Sequence, residues 1–342
     1  MSKQNIICFS RLKALACIAV VILHTFYASA AFAKTSGQMS AMLTVRNLMS
    51  WAVPCFVMVT GALLLDKGRE IGYKKLFTKY ILRMAAALVI FSLLFCCFDA
   101  LFVTKDFSFA TVKDSFEKAL FGGGWKHMWY LYLMIALYLT MPAYKLITKS
   151  AKPADIRYLL ALYAMFLCVL PTLEVIIEKK AALYICVYSV YPLYLFAGYA
   201  LHNKLIKLSG AVSLILVLAG AGTIIALTIY TTENKSSLSS LLDNYSFAAT
   251  AALSAGMFGL MQAGGGKQLG ILDKIAVQLE KCSFGIYLIH MAVLKVLFVI
   301  IRFDPIANGG FAMVALVSLG VLIVSFAVVK LLKLIPAVNK II

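Results

Sequence analysis

The sequence predicts an all-α membrane protein, a polytopic bundle of about ten transmembrane helices with both termini in the cytoplasm. Three observations lead there. Hydrophobic residues make up 63% of the 342 and charged residues 13%, against roughly 45–50% and 25% in soluble globular chains. The surplus lies in repeated apolar runs such as 85–95, 130–139, 211–226 and 311–329, and each bilayer crossing needs about 20 mostly apolar residues. Lysine and arginine collect in alternate connections, the asymmetry that marks cytoplasmic loops. Segments of about ten alternating residues, the signature of a membrane barrel, are missing from the sequence.

In chain order, the predicted spans are 12–32, 43–65, 81–103, 126–147, 157–175, 182–201, 210–230, 246–262, 283–302 and 311–334. Lys3, Arg11 and Lys13 before the first span and Ala31-Phe32-Ala33 after it imitate a signal peptide and its cleavage site. His24 closes the apolar run and the rest of the chain continues in the same membrane style, which favours an uncleaved first helix. An even number of crossings leaves both ends on one side. Twenty-one lysines and arginines, within 3–13, 67–83, 145–157, 204–207, 267–281 and 330–340, fall on that side, and ten, from Lys34 and Arg46 to Arg302, fall opposite. The richer side is the cytoplasm. No connection has room for a soluble domain, so residues 1–342 are expected to form a single membrane domain. The longest outward connection, 104–125, ends in Gly122-Gly123-Gly124. It is a hairpin connection or a flexible lid. Gly264-Gly265-Gly266 lacks the spacing of a phosphate loop and is a linker.

The net charge of +18 is explained by this topology. The cations sit in short interhelical segments and not on one soluble face, so no nucleic-acid partner is expected. The partner implied by composition is the lipid bilayer of the cytoplasmic membrane. The eight cysteines lie in or beside apolar runs without Cys-x-x-Cys spacing or a neighbouring histidine, so they fill space and no metal is expected.

Ionisable groups inside a bilayer are costly and therefore informative. His24 lies about 16 Å along the first helix from Lys13, at ~1.5 Å per residue. It is either satisfied by a neighbouring helix or functional, and its cost favours function. His127 opens the fourth span within His127-Met128-Trp129-Tyr130, where an interfacial aromatic belt also accounts for it. His290 follows Tyr287 by three residues, so both share a helix face, for packing or for a site. His202 ends the sixth span beside Asn203 and Lys204 and is interfacial. Lys13, Lys79 and Arg83 place cations at the cytoplasmic ends of the first and third spans, where they anchor the helices or present donors to a phosphate. Asp99 either orients a histidine or faces interfacial water. Lys295 is too deep in the ninth span to snorkel and needs a partner or a wet cavity. Together these suit chemistry on an anionic cytoplasmic substrate, and equally a proton-coupled secondary transporter or exporter of a glycan precursor. No internal repeat supports the transporter.

Five blocks then carry a resemblance. Arg11-Leu12-Lys13-Ala14-Leu15-Ala16 leads to Val20-Val21-Ile22-Leu23-His24. Val53-Pro54-Cys55-Phe56-Val57-Met58-Val59-Thr60-Gly61 lies in the second span. His127-Met128-Trp129-Tyr130-Leu131 is followed by Tyr138 and Pro142. Tyr194-Leu195-Phe196-Ala197-Gly198-Tyr199 and Ser283-Phe284-Gly285-Ile286-Tyr287-Leu288-Ile289-His290 come later in order. From about residue 9 to 336 the chain resembles the acyltransferase-3 family of integral membrane O-acyltransferases, in its compact stand-alone branch. The resemblance implies an O-acetyltransferase that moves an acetyl group from cytoplasmic acetyl-CoA to a hydroxyl of a cell-surface glycan or its lipid-linked precursor. It implies catalytic roles for His24 and His127, donor contacts at Lys13, Lys79 and Arg83, and acceptor contacts at Trp129, Tyr287 and His290. Lys13 stands where the family carries an arginine, with Arg11 two residues before it. Arg83 matches the third-span arginine motif, and Tyr80 stands where a second arginine is usual. A membrane module that has lost catalysis is the remaining reading.

Overall fold

A computed structural model describes residues 3–183, 185–265 and 268–342. Among these all regular structure is helical. Gly266, the last residue of the predicted linker, and Lys267 lie outside the described residues. Eight helices are long and apolar enough to cross a membrane among the described residues. In chain order the helices are α1 (Ile6–Phe32), α2 (Ser36–Leu64), α3 (Tyr73–Thr104), the amphipathic α4 (Phe109–Lys118), α5 (Lys126–Ser150), α6 (Pro153–Ile177), α7 (Tyr191–His202), α8 (Gly210–Asn234), α9 (Ala248–Ala263), α10 (Ile271–Ile300) and α11 (Gly310–Leu332). Eight of the ten predicted spans are therefore long apolar helices. The other two, 182–201 and 246–262, are helices of 12 and 16 residues, α7 and α9.

Contacts divide the chain into two compact units. One comprises Met1–Arg69, Lys145–Ser283 and Pro305–Ser318, the other Glu70–Tyr144, Phe284–Asp304 and Leu319–Ile342.

The first unit is built on backbone-close helix crossings. A Cβ on Gly61 of α2 would lie 1.8 Å from the carbonyl oxygen of Leu195, and one on Gly198 of α7 would lie 1.9 Å from that of Met58. Only glycine permits this approach, and small residues at such crossings are how membrane helices gain packing where lipid supplies no hydrophobic drive. α7 is buried along most of its length, Pro192 to Leu201, which accounts for its brevity: a helix of 10–14 residues fits inside a bundle better than across a bilayer. α8 and α9 repeat the device through Gly220, Gly256 and Gly259. Phe26, Ala30, Met42, Ile306 and Val314 form a small core near the C-terminal end of α1. Caps set several starts: the hydroxyls of Thr35 and Ser209 accept the amides of Gln38 and Val212, each at 3.2 Å, which relieves orphan amides of the first turn.

α10 starts twelve residues earlier than its predicted span. Its first turns carry Asp273, Lys274, Gln278, Glu280 and Lys281, a polar stretch that looks like a loop in sequence. Within the first unit Asp273 takes Arg11 and Glu280 takes Lys13, so these charges are matched and the helix continues.

In the second unit α3 carries π-helical turns at both ends, Leu76–Ile81 and Ala100–Thr104, and α10 carries one at Val296–Ile300. Each inserts a residue and turns the side chains that follow, a device frequent near functional sites. Gly285 of α10 lies under Val329 of α11, where a Cβ would come within 2.7 Å.

Candidate functional site

A tight turn at Lys126–Met128 leads into the regular helix of α5, burying His127 and Met128 and leaving the next residue, Trp129, 37% exposed. The hydroxyl of Tyr287 donates to the carbonyl of His127. One helical turn on, His290 is fully buried, and its ring centre lies 5.6 Å from that of His127 at 81°. Its Nδ1–H donates to the Ile286 carbonyl over 3.0 Å, which makes Nε2 the lone-pair nitrogen. Tyr287 lies 5.5 Å from His127, edge to face. Three residues predicted to be functional, His127, Tyr287 and His290, thus meet in the second unit. Phe95 and Trp125 complete the wall, with ring centres 5.6 and 6.0 Å from His127. Trp129 turns to the outside, with Tyr130 beside it at 6.1 Å.

His24 belongs to the first unit. It is half-buried on α1, and its Nδ1–H donates to the Val20 carbonyl over 3.0 Å, so here too Nε2 carries the lone pair that a base or an acyl carrier uses.

The three expected donor cations differ in their surroundings. The ammonium of Lys13 is 3.0 Å from Glu280, so a carboxylate already holds one of its three protons. The Nε of Arg83 donates to the Ile341 carbonyl over 2.8 Å, and its guanidinium lies 5.2 Å from the centre of the Phe284 ring. These contacts orient the fork and leave its terminal NH₂ groups to meet an anion. Lys79 is exposed in the π-helical turn before Arg83. Tyr80 packs on Tyr138 with ring centres 5.3 Å apart.

Lys295 has the partner its depth demands. Its ammonium lies 2.5 Å from Oδ1 of Asp99 and 4.4 Å from the centre of the Trp125 indole. The indole N–H donates to the other carboxylate oxygen, Oδ2, over 2.8 Å. Sequence reasoning flagged Asp99 and Lys295 singly and passed over Trp125, whose only signal is its place between the triple glycine and His127.

The chain matches the acyltransferase domain family over residues 6–330, a range that includes every residue above except Ile341. No curated protein and no solved structure matches it significantly.

Proposed function

Because the chain belongs to the acyltransferase-3 family, a multi-pass membrane acyltransferase by that membership and its long apolar helices, we propose that it is an O-acetyltransferase drawing on cytoplasmic acetyl-CoA and acting on a hydroxyl of a surface glycan or its lipid-linked precursor. The match over residues 6–330 carries this reading. The five blocks that resemble the family motivate acetyl as the group and a glycan as the acceptor, as in the enterobacterial common antigen O-acetyltransferase. The charge asymmetry between alternate connections supports a cytoplasmic-membrane location with about ten crossings and both termini inside.

In this reading residues 1–342 act as one acyltransferase domain. Arg83, Lys79 and Lys13 are each assigned a role toward the donor phosphates. The acceptor oxygen attacks the thioester carbonyl while Nε2 of His24 takes the hydroxyl proton. The C–S bond breaks, the CoA thiolate leaves, and the imidazolium returns its proton to the thiolate. His127, His290 and Tyr287 orient the acceptor, and Trp129 offers an aromatic face to a sugar ring. Direct transfer and relay through an acyl-imidazole both use the same Nε2.

Mass spectrometry of surface glycans from cells with and without the gene tests the reading. An acetyl-sized mass difference is expected, together with transfer of labelled acetyl from acetyl-CoA by the purified protein in lipid. A secondary transporter, which family membership does not favour, would move the glycan unmodified, and unchanged glycan masses would reject the acetyltransferase.

A further inference from the structure

We infer that Asp99, Trp125 and Lys295 act together as a positioning clamp that fixes the ring of His127 for the acceptor. The inference rests on the reading of His127 as an acceptor-facing residue. The geometry closes on itself. Asp99 on α3 accepts from the Lys295 ammonium through Oδ1 and from the Trp125 indole through Oδ2, at 2.5 and 2.8 Å. Lys295 on α10 stands over the face of the same indole at 4.4 Å, a cation–π contact that gains strength where water is scarce. Phe95, one turn before Asp99 on α3, stacks on the indole with ring centres 4.1 Å apart and planes within 4°. Trp125 is therefore held in its plane, on its face and at its N–H.

Two residues on, His127 is caught between that indole, Phe95, Tyr287 and His290, with its carbonyl held by Tyr287. The reason for so many restraints lies just upstream. Gly122 has a φ of +84° and Gly124 an extended backbone, with non-helical geometry at Phe121 and Gly122. These glycines break the helix immediately before α5, and the clamp sets the position of the segment that follows. An ion pair of mostly enclosed side chains, 24% and 29% exposed, is a weak source of stability because desolvation offsets its attraction. Its placement against the Trp125–His127 segment gives it a use that stability does not.

The test reads His127 directly. Purified protein in lipid is treated with diethyl pyrocarbonate, and carbethoxylation of His127 is followed by peptide mass spectrometry relative to His202. In Trp125→Ala and Asp99→Asn the relative rate at His127 is expected to rise by about tenfold or more, the factor that goes with losing a hydrogen bond to a charged group. Trp125→Phe keeps the stacking surface and should fall between wild type and Trp125→Ala. In acetyl-transfer assays, kcat/KM for the acceptor should drop by roughly 10²-fold, the cost of a small misplacement, with KM for acetyl-CoA unchanged. Should Trp125→Ala fail to fold, the near-isosteric Asp99→Asn carries both measurements. An unchanged His127 rate in folded variants overturns the clamp, as does loss of activity that only follows the amount of folded protein. If the reactivity pattern holds but wild-type protein transfers no acetyl group, the clamp stands and the proposed function falls.

Discussion

Nε of Arg11 donates to Oδ1 of Asp273 over 2.6 Å, tying the first helix to the start of α10. Arg11 is buried and Asp273 partly so, and the contact helps offset the desolvation of the guanidinium. Arg11→Gln or Asp273→Asn, each removing one partner, should lower the unfolding temperature. Thermal unfolding in detergent measures it. Arg11→Met combined with Asp273→Leu should recover most of the loss, since an apolar pair replaces a buried ion pair at little cost. Equal unfolding temperatures for the single and double variants would contradict the pairing.

The cations assigned to the donor should separate in assay. Arg83→Ala removes a fork whose orientation the Ile341 carbonyl and the Phe284 ring set. KM for acetyl-CoA should rise by an amount equivalent to ~1.5–3 kcal/mol, the usual worth of a hydrogen bond to a charged group, with KM for the acceptor nearly unchanged. Lys13→Ala strands Glu280 instead, so its first effect should be on stability, and Glu280→Gln in the same chain should repair it. If Arg83→Ala leaves the acetyl-CoA dependence intact, the donor does not dock there.

Gly61→Ala and Gly198→Ala should be poorly tolerated, because each new methyl would meet a backbone carbonyl at under 2 Å and the neighbour cannot rotate away. Overpacking of a flexible side chain typically costs about 1–3 kcal/mol, and a backbone clash should exceed that. Gly72→Ala, with nothing within 4 Å, is the control. The yield of monodisperse protein reads the difference.

These crossings also mark where sequence reading stops. The apolar runs of α1, α3, α5 and α8 announce themselves, since length and composition alone specify a membrane helix. α7 does not: Tyr191–His202 is as apolar as a span, and only the glycine contacts with α2 account for its being short and enclosed. The early start of α10 was hidden for the opposite reason. Asp273 and Glu280 look like loop residues until Arg11 and Lys13 are brought to them. Among the site residues, the pairing of Tyr287 with His290 followed from helical spacing. The approach of His127 to both joins distant parts of the chain, and no local pattern encodes it. Lys295 was legible as a charge in need of a partner. Trp125 was not, because a tryptophan at a membrane boundary is ordinary.

Topology is open to direct labelling. In a background with the exposed Cys186 changed to serine, Lys74→Cys should be shielded from an impermeant thiol reagent in intact cells, and Ser237→Cys should react. Both positions are exposed on the protein, so the bilayer decides the outcome. The reverse pattern would overturn the orientation drawn from the lysine and arginine distribution.

His24 is the decisive position. Two independent observations meet on it: the cost of an imidazole within α1 and its place at the end of the first block resembling the family. Its Nδ1–H donates to the Val20 carbonyl, so Nε2 carries the lone pair that proton or acyl transfer uses. His24→Ala removes that nitrogen and leaves a helix-favouring apolar residue in its place, so expression and membrane insertion should stay near normal. Loss of a general base costs typically ~10²–10⁴-fold, and acetyl transfer by the purified variant should fall at least that far. A histidine that merely holds the bundle together predicts the converse, with less folded protein and activity in proportion to what remains. Folded His24→Ala protein that still transfers acetyl at a substantial rate would remove His24 from the chemistry and leave His127 and His290 as the imidazoles to test.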